Sequence, residues 1–497
     1  MIASQETDDD SIAHQETVIH DEDEIKKSPA AKLSTLFKQL VFRQKSSTTD
    51  PRTWPRSKKI PIVIIVALAG ATSPVASTIY YPALVDMQLY FQTSDTAMNA
   101  SLAVYTYFLA FFPLIWATFG DLFGRRPIYL VSFLIAVAGI ICCSFSTNVA
   151  MFIVFRAISA AGSSSVLSMG AGTISDIFDS HERGRAFSYY MMGPLLGPVL
   201  GPIIGGYLNR AFGWQSIFYF MACLSFCAWL GVLIFLPETH YIEPTKPTLR
   251  ASETDTQQMK TKTSRFINPI AALGLLRHVN IALSVPFLGV LFFIFYLLST
   301  NFTRTYTIQY GFDSGQVGLY YLPNAIGNIL GGLVGGRFSD RVYNKKVGKL
   351  PPEQPPFPEL RIGGIILWGS LVIQFLALTA YGWCIQKNVH FAYGLIALFF
   401  AGAGLGAPNI ILSTYIVDCF RNRSASVTAC NNFTRYILAG IGSLVASDME
   451  RAMGPGILYT FCGALLILFS SGFIYVRLHG KRWSEKKHMD NSNTACA

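Results

Sequence analysis

The chain has 497 residues, 51% hydrophobic and 14% charged, with 39 Lys and Arg against 29 Asp and Glu. Soluble domains carry about 25% charged residues, so this composition excludes a soluble globular protein and indicates an all-α, multi-pass membrane protein. The net charge of +10 does not indicate nucleic acid, because most Lys and Arg flank apolar runs, as topology requires. Of the nine cysteines, Cys142, Cys143, Cys223, Cys227, Cys430 and Cys462 sit within apolar runs, and there is neither a CxxC nor a His/Cys cluster. No metal, no other cofactor and no nucleic-acid partner are expected.

Residues 1–59 are polar, with an acidic stretch (Asp8, Asp9, Asp10, then Asp21 to Glu24) followed by a basic one from Lys26 to Lys59. They read as a disordered cytosolic arm without a removable signal peptide, or as a regulatory segment whose Arg56, Lys58 and Lys59 rest on anionic lipid. Beyond them lie twelve apolar runs of about 20 residues, the length that crosses a bilayer. The first six are 60–82, 99–119, 128–147, 150–174, 186–208 and 214–236. The second six are 279–302, 316–337, 361–384, 391–416, 424–446 and 454–477. The domains follow: an N-terminal half over 60–236, a linker over 237–278, a C-terminal half over 279–477 and a tail over 478–497. With the N-terminus in the cytosol, the inner segments hold 33 of the 39 Lys and Arg, and the outer loops only Arg210, Arg304, Lys387 and Arg451. Both termini are therefore expected in the cytosol.

The fifth span is the most unusual stretch. Glycine recurs at Gly193, Gly197, Gly201 and Gly205, and proline at Pro194, Pro198 and Pro202. A step of four residues advances about 400° around a helix, so the glycines form one slowly winding stripe. In water each interior proline costs roughly 3 kcal/mol; in a bilayer neighbouring helices re-satisfy the backbone, and small residues let helices approach. A plain packing seam and a face on which the halves slide are both open readings. The eighth span carries its own stripe at Gly327, Gly331 and Gly335. The halves also look like copies. Gly120-Asp121-Leu122-Phe123-Gly124-Arg125-Arg126-Pro127 follows the second span, and Gly336-Arg337-Phe338-Ser339-Asp340-Arg341 followed by Lys345-Lys346 comes after the eighth. Each places an acid at the inner rim and a basic pair just beyond it. Repeated six-span halves are a transporter architecture.

Together these motifs resemble the major facilitator superfamily, in its twelve-span drug:proton antiporter branch of fungal type, over about residues 55–480. The loop at Asp121 is similar to that family's GxLxDRxGRR signature, with Ala117 and Leu122 as departures. Phe155-Arg156-Ala157-Ile158-Ser159-Ala160-Ala161-Gly162 resembles its fourth-span RxxxG pattern, and Pro237-Glu238-Thr239 its PET signature. The Gly-Pro repeat resembles the antiporter motif. The resemblance implies the major facilitator fold: two six-helix halves around a central cavity that opens alternately to either side. It also implies proton coupling through Arg156, efflux, a plasma-membrane location, a monomer, and partners limited to protons, a small organic solute and lipid.

Gating residues are then Asp121, Gly124, Arg125 and Arg126, their counterparts Asp340 and Arg341, and Gly193, Gly197, Pro198, Gly201, Pro202 and Gly205. Asp121 can latch onto the start of the eleventh span at Ser424-Ala425-Ser426, or simply pair with Arg125. Two arginines, Arg156 and Arg435, fall inside spans, where a charge costs at least about 2.5 kcal/mol and usually marks function. No Asp or Glu lies mid-span. The substrate-site candidates are Arg435, Asn431, Asn432, Arg156, Tyr80, Tyr81, Ser77, Asn324 and Asn328. Guanidinium groups match carboxylates, so an organic acid such as citrate is the first choice of substrate and a cationic drug the second. A non-transporting sensor of the same fold and a membrane enzyme are the remaining classes. The enzyme is disfavoured because no nucleophile, metal cluster or carboxylate pair stands out. Asn99-Ala100-Ser101 and Asn301-Phe302-Thr303 match glycan acceptors, but lie too close to the membrane for use.

Overall fold

Helices α1 (Arg56–Thr78), α2 (Asp95–Phe123) and α3 (Arg125–Ser144) open the computed structural model, which describes residues 50–239, 274, 276–349, 351, 358–362, 364–420, 424–473 and 475. They are followed by α4 (Val149–Ile177), α5 (Ser180–Phe212) and α6 (Gln215–Phe235). The second set is α7 (Val279–Arg304), α8 (Ser314–Val347), α9 (Ile365–Gln386), α10 (Phe391–Cys419), α11 (Ser424–Met453) and α12 (Pro455–Phe473). Among the described residues, 11 helices are long and apolar enough to cross a membrane. The expected eleventh span is present as the 30-residue α11, whose Asn431, Asn432, Arg435, Asp448, Glu450 and Arg451 leave it too polar for that set. The N-terminal arm, nearly all of the linker and the C-terminal tail lie outside the described residues.

Local sequence accounts for where the helices start. Ser94 caps α2 through Ala97 N–H at 3.2 Å, Asn148 caps α4 through Met151 N–H at 2.8 Å, and Asp313 and Gln316 form a capping box at α8. Each satisfies amide donors that a helix start leaves orphaned. The span expected at 60–82 is instead broken: α1 stops at Thr78, a 3₁₀ turn runs Tyr81–Ala83, and a short helix Leu84–Tyr90 follows.

The packing repeats between the halves. α1 lies along α5 as α7 lies along α11, and α2 meets α4 as α8 meets α10. Across the halves, α2 packs on α11 and α8 on α5. These are the same pair of contacts related by the repeat.

The glycine stripe settles between its two readings. A Cβ at Gly193 would strike Ala67 O, at Gly197 Pro74 Cβ at 2.7 Å, at Gly201 Thr78 Oγ1, and at Gly205 Ile79 O. All of these contacts are on or just past α1, so the stripe is a packing seam inside one half. The neighbouring face, Pro202 and Gly206, meets Gly318 and Ser314 of the other half. The eighth-span stripe is no echo of the fifth: Gly327, Gly331 and Gly335 lie against Phe399, Ala403 and Ala407 of α10.

Candidate functional site between the two halves

At the apex between the halves, side chains from α1, α2, α4, α7 and α11 converge. Arg156 is 2% exposed and donates Nη1 to Ala76 O at 3.1 Å. Ala76 lies in the last turn of α1, whose carbonyls have no N–H ahead to accept from. A cation there both caps the broken helix and meets the negative end of its dipole. Its guanidinium stacks on Tyr105 at 3.9 Å and Tyr80 at 4.3 Å. Tyr105 in turn hydrogen-bonds Ser73 O and Ser163 Oγ, each at 3.2 Å. Arg156 is thus walled into the N-terminal half, with Nε and Nη2 given no hydrogen-bond partner.

Arg435 is placed differently. It is half-buried on α11, with its guanidinium 3.7 Å above the Phe292 ring of α7. Tyr296, one turn further along α7, interacts with Tyr436 and Arg435 of its own half and with Ser77 and Tyr105 of the other. Phe111 of α2 meets Phe433 of α11 edge-on at 5.1 Å. The site is one half-buried arginine in an aromatic surround. Phe292 and Tyr296 were not legible as site residues, because the run Phe292-Phe293-Ile294-Phe295-Tyr296 reads simply as apolar span.

The other expected site residues do not all gather here. Asn431, 4% exposed, sits a turn below Arg435 with Oδ1 unsatisfied, and Asn432 is half-buried beside it. Ser77 spends its hydroxyl on Pro74 O at 2.8 Å. Tyr80 is 0% and Tyr81 1% exposed, and Tyr81 stacks at 6.0 Å on Tyr321 of the other half, where it closes the outer end. Asn324 and Asn328 are drawn away into the α8–α10 seam, against Gly402 and Gly406.

At the inner rim, the end bearing the Lys- and Arg-rich loops, the ion pairs found among the described residues lie within each half. Asp121 pairs with Arg125 at 2.9 Å, and Arg125 also with Asp176 at 3.3 Å. Asp121 thus has Arg125, one of its two expected partners; the other, the start of α11, falls on Ser424 and Ala425, whose side chains lie outside the described residues. The orphaned amides at the start of α3 are met by Glu238, which accepts from Arg125 N at 2.9 Å and Arg126 N at 3.2 Å. Gly124 has φ +95°, and a Cβ there would press into that carboxylate. In the other half the partner of Asp340 is Arg361 at 2.6 Å, which also holds Asp418 at 2.7 Å. Burial pulls Arg361 down, but Asp340 and Asp418 more than reverse this and hold it above its ordinary value. Arg341 is exposed, over the Phe338 ring, and Lys346 donates to Leu360 O at 3.0 Å. Neither Arg341 nor the basic pair pairs with Asp340. The two inner motifs are still copies, as acid–arginine–acid sets, with an arginine at the start of the third helix of one half and just before that of the other.

At the outer rim the charges join the halves. Arg451 at the end of α11 reaches Asp95 at the start of α2 at 2.7 Å. By the same repeat, Arg210 at the end of α5 reaches Asp313 at the start of α8 at 3.4 Å. Between them Arg304, which the sequence places in an outer loop, is 8% exposed and still helical. It donates to Asn99 Oδ1 at 2.8 Å, Ser447 Oγ at 2.9 Å and Gln88 Oε1 at 3.3 Å, and faces Asp95 at 3.7 Å. Among the described residues, the ion pairs found between the halves lie at this end. The contacts thus hold the halves together at the end away from the Lys- and Arg-rich loops. The amides of Asn99 and Asn301 donate to Ser447 Oγ and Ala446 O in the interior, so neither glycan motif is accessible.

The family model described as Major Facilitator Superfamily matches residues 66–443. The chain is a member of the major facilitator superfamily. It is 31% identical over 421 residues to "Efflux pump radE" of Floropilus chiversii, covering 82% of this chain and 77% of that one. It is 25% identical over 567 residues to "MFS antiporter QDR3" of Candida albicans, covering 88% and 80%. Among solved structures, an inward-facing, unoccupied bacterial homologue of the human lysosomal transporter Spinster superposes with TM-score 0.65 at 16% identity, covering 85% of this chain and 98% of that one. That likeness supports the fold. The chain is thus a multi-pass transporter of the major facilitator fold and not an enzyme, with a protein named an efflux pump and one named an MFS antiporter among its relatives.

Proposed function

We propose that this transporter is a monomeric, proton-coupled exporter of the plasma membrane, with both termini cytosolic, and that it moves a small organic solute outward by alternating access. The proposed solute is amphipathic, with a single acidic group. The observation that carries this reading is the unequal state of the two intramembrane arginines. Arg156 is 2% exposed behind two tyrosine faces and bonded to Ala76 O, which leaves the half-buried Arg435 beside Phe292 as the more exposed cation. A tricarboxylate such as citrate would bring three charges to one guanidinium, so citrate is a poor fit. An apolar acid matches both the charge and the rings. The relatives named as an efflux pump and an antiporter support the direction and the exchange. Arg156, fixed to α1, is retained as the residue that links protonation to helix movement.

The test is paired. Export of aromatic and aliphatic monocarboxylic acids, and growth on lipophilic cationic drugs, are measured for wild type, Arg435→Lys and Arg435→Gln. Acid export falls in Arg435→Lys, which keeps charge but loses the planar fork, and is nearly abolished in Arg435→Gln, while drug tolerance is unchanged. Normal acid export with lost drug tolerance in Arg435→Gln establishes the multidrug reading instead.

A further inference from the structure

The two edges along which the halves meet at the outer rim are built unequally. On the α2–α11 edge the bonds form a continuous set. Arg304, whose side chain is 10% exposed, donates Nη1 to Asn99 Oδ1 at 2.8 Å and Nη2 to Gln88 Oε1 at 3.3 Å, both of the other half. Asn99 Nδ2 donates back across the junction to Ser447 Oγ at 3.0 Å, and Thr96 Oγ1 donates to Asp448 Oδ2 at 3.0 Å. Arg451 completes the set on Asp95 at 2.7 Å. Deeper along the same edge, Phe111 meets Phe433 at 5.1 Å and Tyr107 covers Gly440.

On the α5–α8 edge the repeat leaves less. Arg210 and Asp313 take the places of Arg451 and Asp95, but they stand 3.4 Å apart with side chains 58% and 40% exposed, so solvent screens them. Ser314 Oγ donates to Gly206 O at 3.2 Å. At the spacing before Asp95 that Arg304 keeps before Asp313 stands Asp86, which is exposed and accepts from Asn209 of its own half. The backbones touch here without interlocking: a Cβ on Gly206 would strike Ser314 O, and one on Gly318 would strike Pro202 O. With no side chain on either glycine, this face parts without a rotamer change. An outer cavity of about 480 Å³, lined by Asp86, Arg210, Phe312 and Asp313 among others, already enters this edge. Its counterpart on the α2–α11 edge is about 270 Å³ and is walled by the bonded Arg304, Arg451 and Asp95.

We propose that the outer rim opens asymmetrically, hinged on the α2–α11 edge, and that its mouth lies between α5 and α8. Two bodies joined along two edges part first at the weaker joint, and the stronger one becomes the axis of a hinge. Arg210 and Asp313 then separate while the bonds of Arg304 and Asn99 hold, and an exported solute leaves on the α5–α8 side, past Arg210 and Phe312. This rests on the alternating-access reading above, but not on which solute is carried.

The experiment reads each edge separately, in the full chain in lipid nanodiscs and without solute. One protein carries spin labels at Thr93 and Ala452 across the α2–α11 edge, and a second at Phe212 and Leu319 across the α5–α8 edge. Distances are taken in wild type, Arg210→Gln and Arg304→Gln. In Arg210→Gln the α5–α8 distance lengthens by several ångströms and the α2–α11 distance is unchanged; in Arg304→Gln, which releases the hinge itself, both lengthen. The proposal is overturned if Arg210→Gln lengthens both distances alike or leaves the α5–α8 distance unchanged, or if Arg304→Gln lengthens the α2–α11 distance alone. A second measurement separates this failure from that of the reading beneath it. Thr300 is 0% exposed, one turn inside Arg304 on α7, whereas Ile308 is 70% exposed outside the rim. Thr300→Cys is labelled in intact cells by a membrane-impermeant thiol reagent, at rates taken relative to Ile308→Cys. Labelling rises a few-fold in Arg210→Gln and further in Arg304→Gln. If the α5–α8 distance lengthens while Thr300→Cys labelling stays at the wild-type rate, the edge moves without opening a path, and the alternating-access reading fails instead.

Discussion

The two rims of this molecule use the same residue types for opposite ends. At the inner rim Arg125 and Arg361 each hold two acids of their own half. At the outer rim Arg451, Arg210 and Arg304 reach acids of the other half. Pairs inside a half stiffen a body that moves as one; pairs between halves must break for the cavity to open outward. A charge change at the outer rim should therefore shift the conformational equilibrium, and one at the inner rim should chiefly change the stability of a half.

The largest effect is expected from Arg304→Gln. It removes charge-assisted hydrogen bonds worth about 1.5–3 kcal/mol each from the junction of α2, α7 and α11, and should open the outer rim, read as faster Thr300→Cys labelling at unchanged surface abundance. Next comes Gly124→Ala, which leaves the rims' charges alone. A left-handed non-glycine residue costs about 1–3 kcal/mol, and the added methyl pushes on Glu238, so thermal stability in detergent should fall with no outward shift. Arg361→Gln should weaken the C-terminal half by about 1 kcal/mol, again without outward opening. Smallest is Asp121→Asn: its side chain is 44% exposed, so the pair with Arg125 should contribute less than about 1 kcal/mol to the stability of the N-terminal half. A marked change in rim accessibility from either inner-rim variant would break the contrast.

The sequence made the spans legible because twenty apolar residues have few other uses, and even polar α11 stood out by its place in the repeat. It also exposed Arg435, since a mid-span charge is conspicuous. Partners were less readable. The glycine stripe has a period but no address, so a seam on α1 could not be told from a sliding face between halves. Glu238 looked like part of a signature; its work is to cap a helix that begins at Arg125, more than a hundred residues earlier in the chain. Arg304 was assigned to a loop because α7 runs past its apolar stretch, and burial at a helix end depends on neighbours that hydropathy does not record. Asn324 and Asn328 shared a helix with the stripe, and the close approach of α10 took them out of the cavity.

Transport by rocking of the two halves requires the closed outer pairs to break as the inner end closes. The decisive measurement is the distance between spin labels in two doubly labelled proteins, Leu89 with Ile308 at the outer rim and Leu122 with Asn344 at the inner rim, each with and without Arg304→Gln. The account predicts that the substitution lengthens the outer distance and shortens the inner one together. An outer distance that does not change, or one that lengthens while the inner distance stays fixed, would contradict it.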